Sequence, residues 1–237
     1  MNRRAPFRRL IVIVATGLLT LSCASLPRDP EGTLQRVQGG RLRVGLVEHP
    51  PWVVRTEGEP AGAEVELVRR FAAELNATPE WHWGGEQRHM EALERFELDL
   101  VVGGVTKSTP WSKYVGLTGP YFEETYAVGF PASAAPGKEL KGLSVAVREG
   151  DPVAYYLAEK EAVPVRVPDL KGVGGPAAAP TWELESMGLV PSGGELHSEK
   201  HVMAVPPGEN GFLKRLEEFL ARERPRVREL LQKEEAR

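Results

Sequence analysis

Apolar and polar positions along this chain switch between two periods. Residues 42–47 (LRVGLV) make a short apolar-rich run that stops ahead of Pro50-Pro51. Proline cannot donate to a strand ladder, so a strand is expected to end there and the chain to turn. After Gly62, the apolar residues Leu67, Val68, Phe71, Ala72 and Leu75 recur at helical spacing. Glu64 and Glu66 fall in the first turn of that helix, where the positive end of its dipole favours acids, and Asn76 is a natural stop. Residues 80–83 (EWHW) alternate as a strand does, with Trp81 and Trp83 on one face and His82 on the other. The tryptophan pair reads as core or as a ligand platform. A short helix is expected over 88–96, with Met90, Leu93 and Phe96 on one side, and Asp99 at the turn that follows. The apolar run 98–102, bounded by turn signals, has the pattern of a buried parallel strand.

Strand, helix, strand, helix, strand in this span predicts a parallel sheet with helices on its faces. Residues 125–130 (TYAVGF) read as a strand leaving that unit. After a small, Pro-containing stretch at 131–137, a second βα unit begins with a strand at 143–147 and a helix at 153–161. Asp151 suits the cap of that helix and Pro152 its first turn. A further strand is expected at 163–167. Residues 171–180 (KGVGGPAAAP) carry Gly, Pro and Ala, with no helix expected, and 201–205 read as a returning strand. Phe212, Leu213, Leu216, Phe219 and Leu220 form one helical stripe; Pro225 is expected to break it before a last helix with Val227, Leu230 and Leu231.

The 237 residues, 41% hydrophobic and 27% charged, suit one large domain or two small ones with an ordinary core. The first 23 stand apart. Arg3, Arg4, Arg8 and Arg9 precede an apolar run at 10–21 that is short for a membrane span and reads as an export signal. Cys23, the only cysteine, follows it. It is either the lipid-modified first residue of a mature lipoprotein or a residue lost to cleavage near Ser22 or Ala24. A lone cysteine cannot close an internal disulfide, which favours the lipid. Residues 24–40, with Pro27, Pro30 and Gly39-Gly40, read as a tether. Losing the four leader arginines would leave 26 basic against 33 acidic residues, a net charge of −7. That balance excludes a nucleic-acid binder, which needs Lys and Arg to neutralise phosphates.

Catalytic signatures are absent: no serine elbow, phosphate loop or zinc spacing. Glu123 and Glu124 are adjacent on a strand, point to opposite faces and read as solvated carboxylates. His197 and His201 are four apart around Glu199, a spacing that pairs metal ligands on a helix. The strand pattern at 201–205 and the lack of a third spaced ligand argue against a metal, and no cofactor is expected.

The stretch 99–122, DLVVGGVTKSTPWSKYVGLTGPYF, resembles bacterial extracellular solute-binding proteins of family 3, the polar amino acid-binding components of ABC importers. That family reads strand, Gly-x-Thr, an Arg-bearing loop and an aromatic-tipped hinge here; Thr106 and Pro120-Tyr121 match, while Trp111 stands in the Arg register. His49-Pro50-Pro51-Trp52 is similar to its aromatic-Pro-Pro-aromatic loop, and Gly62, Glu64, Glu66 and Leu67 to its Gly-x-Asp-x-Asp-Leu helix start. Gly150-Asp151-Pro152 takes the place of a turn that contacts the ligand carboxylate, and Pro180 that of an Asp that receives its amine.

The resemblance implies an α/β, two-lobed periplasmic-binding-protein-like fold (type II) with a reduced second lobe. Lobe 1 would take residues 41–130 and 199–237, and lobe 2 residues 131–198. It implies ligand contacts from His49, Trp52, Gly104, Thr106, Trp111, Gly150 and Asp151. For His49 the alternative is a solvated loop histidine, for Trp52 core packing, and for Asp151 a helix cap alone. The implied partners are a small polar or amino-acid-like solute, a membrane reached through the lipid, and an ABC permease, for a monomeric binder at the cell envelope. Two other readings stand beside it. One is a degenerate homologue acting as a sensor or envelope interaction module. The other is an enzyme on the same fold, for which Asp151 would be the acid.

Overall fold

The computed structural model describes residues 28–134 and 139–236. The export signal and Cys23 lie outside the described residues. Among the described residues, ten strands form two five-stranded sheets.

The first sheet runs β2 (Thr78–Trp83), β1 (Arg41–Leu46), β3 (Leu100–Val102), β10 (Ala204–Val205), β4 (Gly116–Leu117). β1 is parallel to both β2 and β3, while β10 runs against β3 and β4. The connections carry α2 (Ala63–Glu74) and α3 (Glu86–Glu94), as the apolar periods predict. α2 buries Leu67, Val68 and Phe71 against α6 (Asn210–Glu235), where the Phe71 ring meets Phe212 and Phe219 at 5.8 and 5.3 Å. Each such fully buried side chain contributes about 1.5–3 kcal/mol. Trp81 and Trp83 are only partly buried, with Arg69 and Arg55 over their rings.

The second sheet runs β7 (Val163–Val167), β6 (Ser144–Arg148), β8 (Ala177–Pro180), β5 (Phe122–Pro131), β9 (Leu189–His201). α4 (Val153–Glu159) and α5 (Thr181–Ser186) accompany it. These helices are short, of 7 and 6 residues, beside a full five-stranded sheet. β5 pairs with β9 along its whole length, from Phe122↔His201 to Pro131↔Leu189. These two strands carry the chain between the lobes. β5 thus belongs to the second sheet, and the boundary expected at 130/131 falls at its far end; the crossing is near Phe122 and His201.

Ala177, Ala178 and Ala179, in the stretch read as having no helix, form a strand in the middle of the second sheet, each almost wholly buried. Alanine has little intrinsic strand preference, so its burial between layers is a tertiary effect. The C-terminal segment is one 26-residue helix running through Pro225. Proline removes one helical hydrogen bond, yet Val227, Leu230 and Leu231 continue the buried stripe into the core of the first lobe. Residues 28–40, expected as tether, are docked. α1 (Thr33–Val37) buries Thr33 and Val37, and Asp29 accepts hydrogen bonds from the Gly211 and Phe212 amides at the start of α6 at 2.6 and 3.0 Å.

The last turns of α6 also reach the second lobe. Arg228 pairs with Glu185 at 2.6 Å, Gln232 Nε2 donates to the Trp182 carbonyl at 3.5 Å, and Lys171 Nζ donates to the Glu235 carbonyl at 3.0 Å. Among the described residues, no helix is long and apolar enough to cross a membrane.

Candidate functional site

A cavity of about 740 Å³ opens between the lobes. Its first-lobe wall is the loop after β1, with His49, Pro50, Pro51 and Trp52; Pro50-Pro51 is a cis bond. Its second-lobe wall is the turn after β6 and the start of α4, and its floor is the crossing strands.

The Gly103-Gly104 turn after β3 braces that loop. Buried Glu64, at the start of α2, accepts hydrogen bonds from the Gly103 and Gly104 amides at 2.6 and 3.0 Å and from the Tyr121 hydroxyl at 2.5 Å. His49 Nδ1 lies 3.2 Å from the Gly103 carbonyl. A carbonyl only accepts, so Nδ1 is the donor in this contact and Nε2 stays free of it. Gly104 has φ +70°, and a Cβ there would stand 2.2 Å from His49 Nδ1. Glycine is therefore required twice, by the backbone and by the imidazole.

Of the residues expected at the site, His49, Trp52, Gly150 and Asp151 line the cavity. Trp52 is 1% exposed and serves mainly as core, with its indole stacked on His201 at 4.0 Å. Asp151 both caps and faces the cavity, accepting the Val153 amide at 2.8 Å. Burial pushes its carboxyl up, with the charges of Glu124 and Glu199 adding to the rise. Gly104, Thr106 and Trp111 are not brought to the cavity lining. Gly104 acts behind His49. Thr106 is bridged to His201, with its hydroxyl 2.8 Å from Ser108 Oγ. Trp111 lies on a 3-10 turn (Pro110–Lys113) edge-on to Tyr114 and packed on the core around Val115.

Sequence reading missed the floor. Glu124, expected as a solvated carboxylate, is 4% exposed. It accepts from Trp182 Nε1 at 2.9 Å and Tyr126 Oη at 3.1 Å, and its Oε2 lies 3.3 Å from His201 Nε2. Burial pushes this carboxyl up, but the three contacts outweigh it and hold it below its ordinary value. Burial and the nearby carboxylates push the Tyr126 phenol up, so it stays a donor. His197 stacks flat on Tyr156 at 4.2 Å, with its Nε2 3.4 Å from Glu199. The signal was available in the period of two. Glu124 and Tyr126 share one face of β5, facing His197, Glu199 and His201 on one face of β9.

Glu124, Glu199 and His201 also bring three potential metal-ligand atoms within 4.8 Å of one another. Both oxygens of Glu124 already accept hydrogen bonds, while the buried Nδ1 of His201 has no hydrogen-bond partner among the described residues. Across the cavity, Arg148 pairs with Glu183 at 2.5 Å. Burial lifts the Glu183 carboxyl above its ordinary value, and the Arg148 contact offsets part of that rise.

Two lobes, two crossing strands and one cleft between them are found in solved structures of similar fold. One is an ancestral cationic amino acid solute-binding protein, with TM-score 0.67 and 17% identity, covering 86% of this chain and 97% of that one. Another is the L-cystine solute receptor of Neisseria gonorrhoeae in its unliganded open conformation, with TM-score 0.65 and 16% identity, covering 81% and 91%. A third is a mutant arginine-binding protein of T. maritima, with TM-score 0.53 and 20% identity, covering 86% and 100%. At these identities the likeness is one of fold, the type II periplasmic-binding-protein fold. Comparison with curated protein sequences finds no match. The family model for bacterial extracellular solute-binding proteins, family 3, matches residues 42–233. With that match spanning both lobes and the cleft between them, the chain belongs to the bacterial extracellular solute-binding proteins of family 3.

Proposed function

We propose that this protein captures a small polar or amino-acid-like solute in the interlobe cleft and presents it to an ABC-type importer. The observation that carries this reading is the cavity of about 740 Å³ with walls from both lobes, a size and placement typical of small-molecule sites. His49 offers an imidazole from one lobe, and Asp151 a carboxylate from the other. Hinge closure about β5 and β9 would bring these groups onto one solute and exclude water. The named neighbours bind cationic amino acids, cystine and arginine, which supports a solute of that size. The apolar run at 10–21 and Cys23 support export and a lipid anchor, which would keep the binder close to its permease.

Small-angle scattering and titration calorimetry on the purified protein test this together. A bound solute should raise thermal stability, by about 2.7 kcal/mol at a hundredfold excess over the dissociation constant, and should shrink the radius of gyration. Absence of binding across amino acids and amines would defeat the proposal. Mass spectrometry of the membrane fraction tests the anchor, which requires a diacylglyceryl mass on Cys23.

A further inference from the structure

Of the cavity's lining residues, seven are carboxylates and two are Lys or Arg. Both cations are already engaged by carboxylates of the same lining. Arg148 contacts Glu183 at 2.5 Å, and Lys171 lies 3.6 Å from Glu235. Five remain, and three of them, Glu124, Asp151 and Glu199, converge on one place: their charges all act on the phenol of Tyr126. Around them stand aromatic faces. Tyr156 is half-buried and carries His197 flat against it, and Tyr126 and Trp182 line the same cavity.

Such a lining meets the two ends of an amino acid unequally. An ammonium or guanidinium finds carboxylates and π faces, both of which attract a cation and more so away from bulk water. A ligand carboxylate would have to displace Glu183 from Arg148 or Glu235 from Lys171, and would add one more negative charge to a lining that already has an excess. The α4 N-terminus, otherwise a place for an anion, is occupied by the Asp151 carboxylate on the Val153 amide.

We infer that the cleft selects small organic cations without a carboxylate, amines or guanidines, over the amino acids that carry the same cation. This rests on the solute-binding reading and narrows it. Asp151 and Glu199 are the groups that meet the cation, and Tyr156 the face that covers it.

Matched pairs differing only by the carboxylate test the inference: agmatine against arginine, and 1,5-diaminopentane against lysine, titrated calorimetrically into the purified protein. The decarboxylated member of at least one pair should bind tenfold or more tighter than its amino acid. Asp151→Asn and Glu199→Gln should each weaken that binding about tenfold, with far-ultraviolet circular dichroism unchanged. An amino acid binding as tightly as its amine, or a neutral amino acid binding more tightly than either, would overturn the cation inference and leave the solute-binding reading standing. No binding by the four cations or by a panel of neutral and acidic amino acids would overturn both.

Discussion

The Trp182 indole of the second lobe donates its N–H to the Glu124 carboxylate at 2.9 Å, across 58 residues of sequence. Glu124 also accepts from Tyr126 and lies beside His201, so one buried carboxylate joins α5 to both crossing strands. Replacing it with alanine strands three polar groups in a dry place. We expect Glu124→Ala to lose about 3 kcal/mol in urea unfolding, since each orphaned buried group costs about 1–3 kcal/mol and partial relaxation recovers some. Glu124→Gln keeps one acceptor and should lose less than half as much.

Acid should unfold the protein through the same carboxylate and through Asp99. Asp99 has no exposed side-chain area and is held by Arg36 and Arg43, each at 2.6 Å. Burial pushes the Asp99 carboxyl up, and the hydrogen bonds from the two arginines overcome it, leaving it below its ordinary value of 3.8. Glu124 is likewise held below 4.5. Folded, both release protons more readily than unfolded, so their support is complete above the unfolded values and is lost as pH falls through the folded ones. Melting temperature should be flat with respect to these two groups above about pH 5 and fall below pH 4.5. Asp99→Asn should cost about 3 kcal/mol at pH 7, because it leaves two arginines facing a neutral buried amide, and should flatten the acid limb.

Asp151 should behave in the opposite sense. Its folded carboxyl is raised by burial and by Glu124 and Glu199, so what it contributes is present below the ordinary value of 3.8 and lost as pH rises. Asn can still cap the Val153 amide through its side-chain oxygen. Asp151→Asn should therefore be more stable than the parent at pH 7 by roughly 0.5 kcal/mol, after allowing for the water that reaches the cleft. The gain should vanish near pH 3. Thermal melts at the two pH values decide it, and equal melting temperatures at pH 7 would refute the assignment.

Gly104→Ala tests the brace behind the cleft. The new methyl meets the His49 ring, and the backbone keeps φ +70°. The expected loss is about 2 kcal/mol of stability, together with weaker solute binding. Gly208→Ala is the control: φ is +80° there too, but nothing lies within 4 Å of the added carbon. It should cost about 1 kcal/mol and leave binding alone.

How much of this was readable in advance depended on what each residue answers to. The period of 3.6 from Leu67 to Leu75 and the apolar run before Gly103 answer to local pattern, and both elements formed as the pattern implies. Ala177–Pro180 answers to its neighbours: nothing local separates it from a loop, and it is a strand because β6 and β5 flank it. The same holds at the cleft. His49 and Asp151 sit beside Pro50-Pro51 and Pro152, turn chemistry visible in a single chain. Glu124 looks like any surface glutamate until Trp182 and His201, far away in sequence, are folded onto it. Trp111 stands in the register of the family's arginine, and register alone does not fix which way a loop faces.

α6 closes the molecule in a way that bears on its behaviour without solute. Its first turns belong to one lobe, and its last turns hold the other through Arg228 and Glu185 and through Lys171 and the Glu235 carbonyl. Exposed pairs of this kind are worth up to about 1 kcal/mol, roughly a fivefold bias in an equilibrium, and they weaken as salt rises. The resting angle between the lobes thus becomes a property of the surrounding medium as well as of the fold. A dilute environment would hold the empty protein nearer the posture seen here. A saline one would release it to sample wider openings, so the same binding site would present different capture rates in different waters.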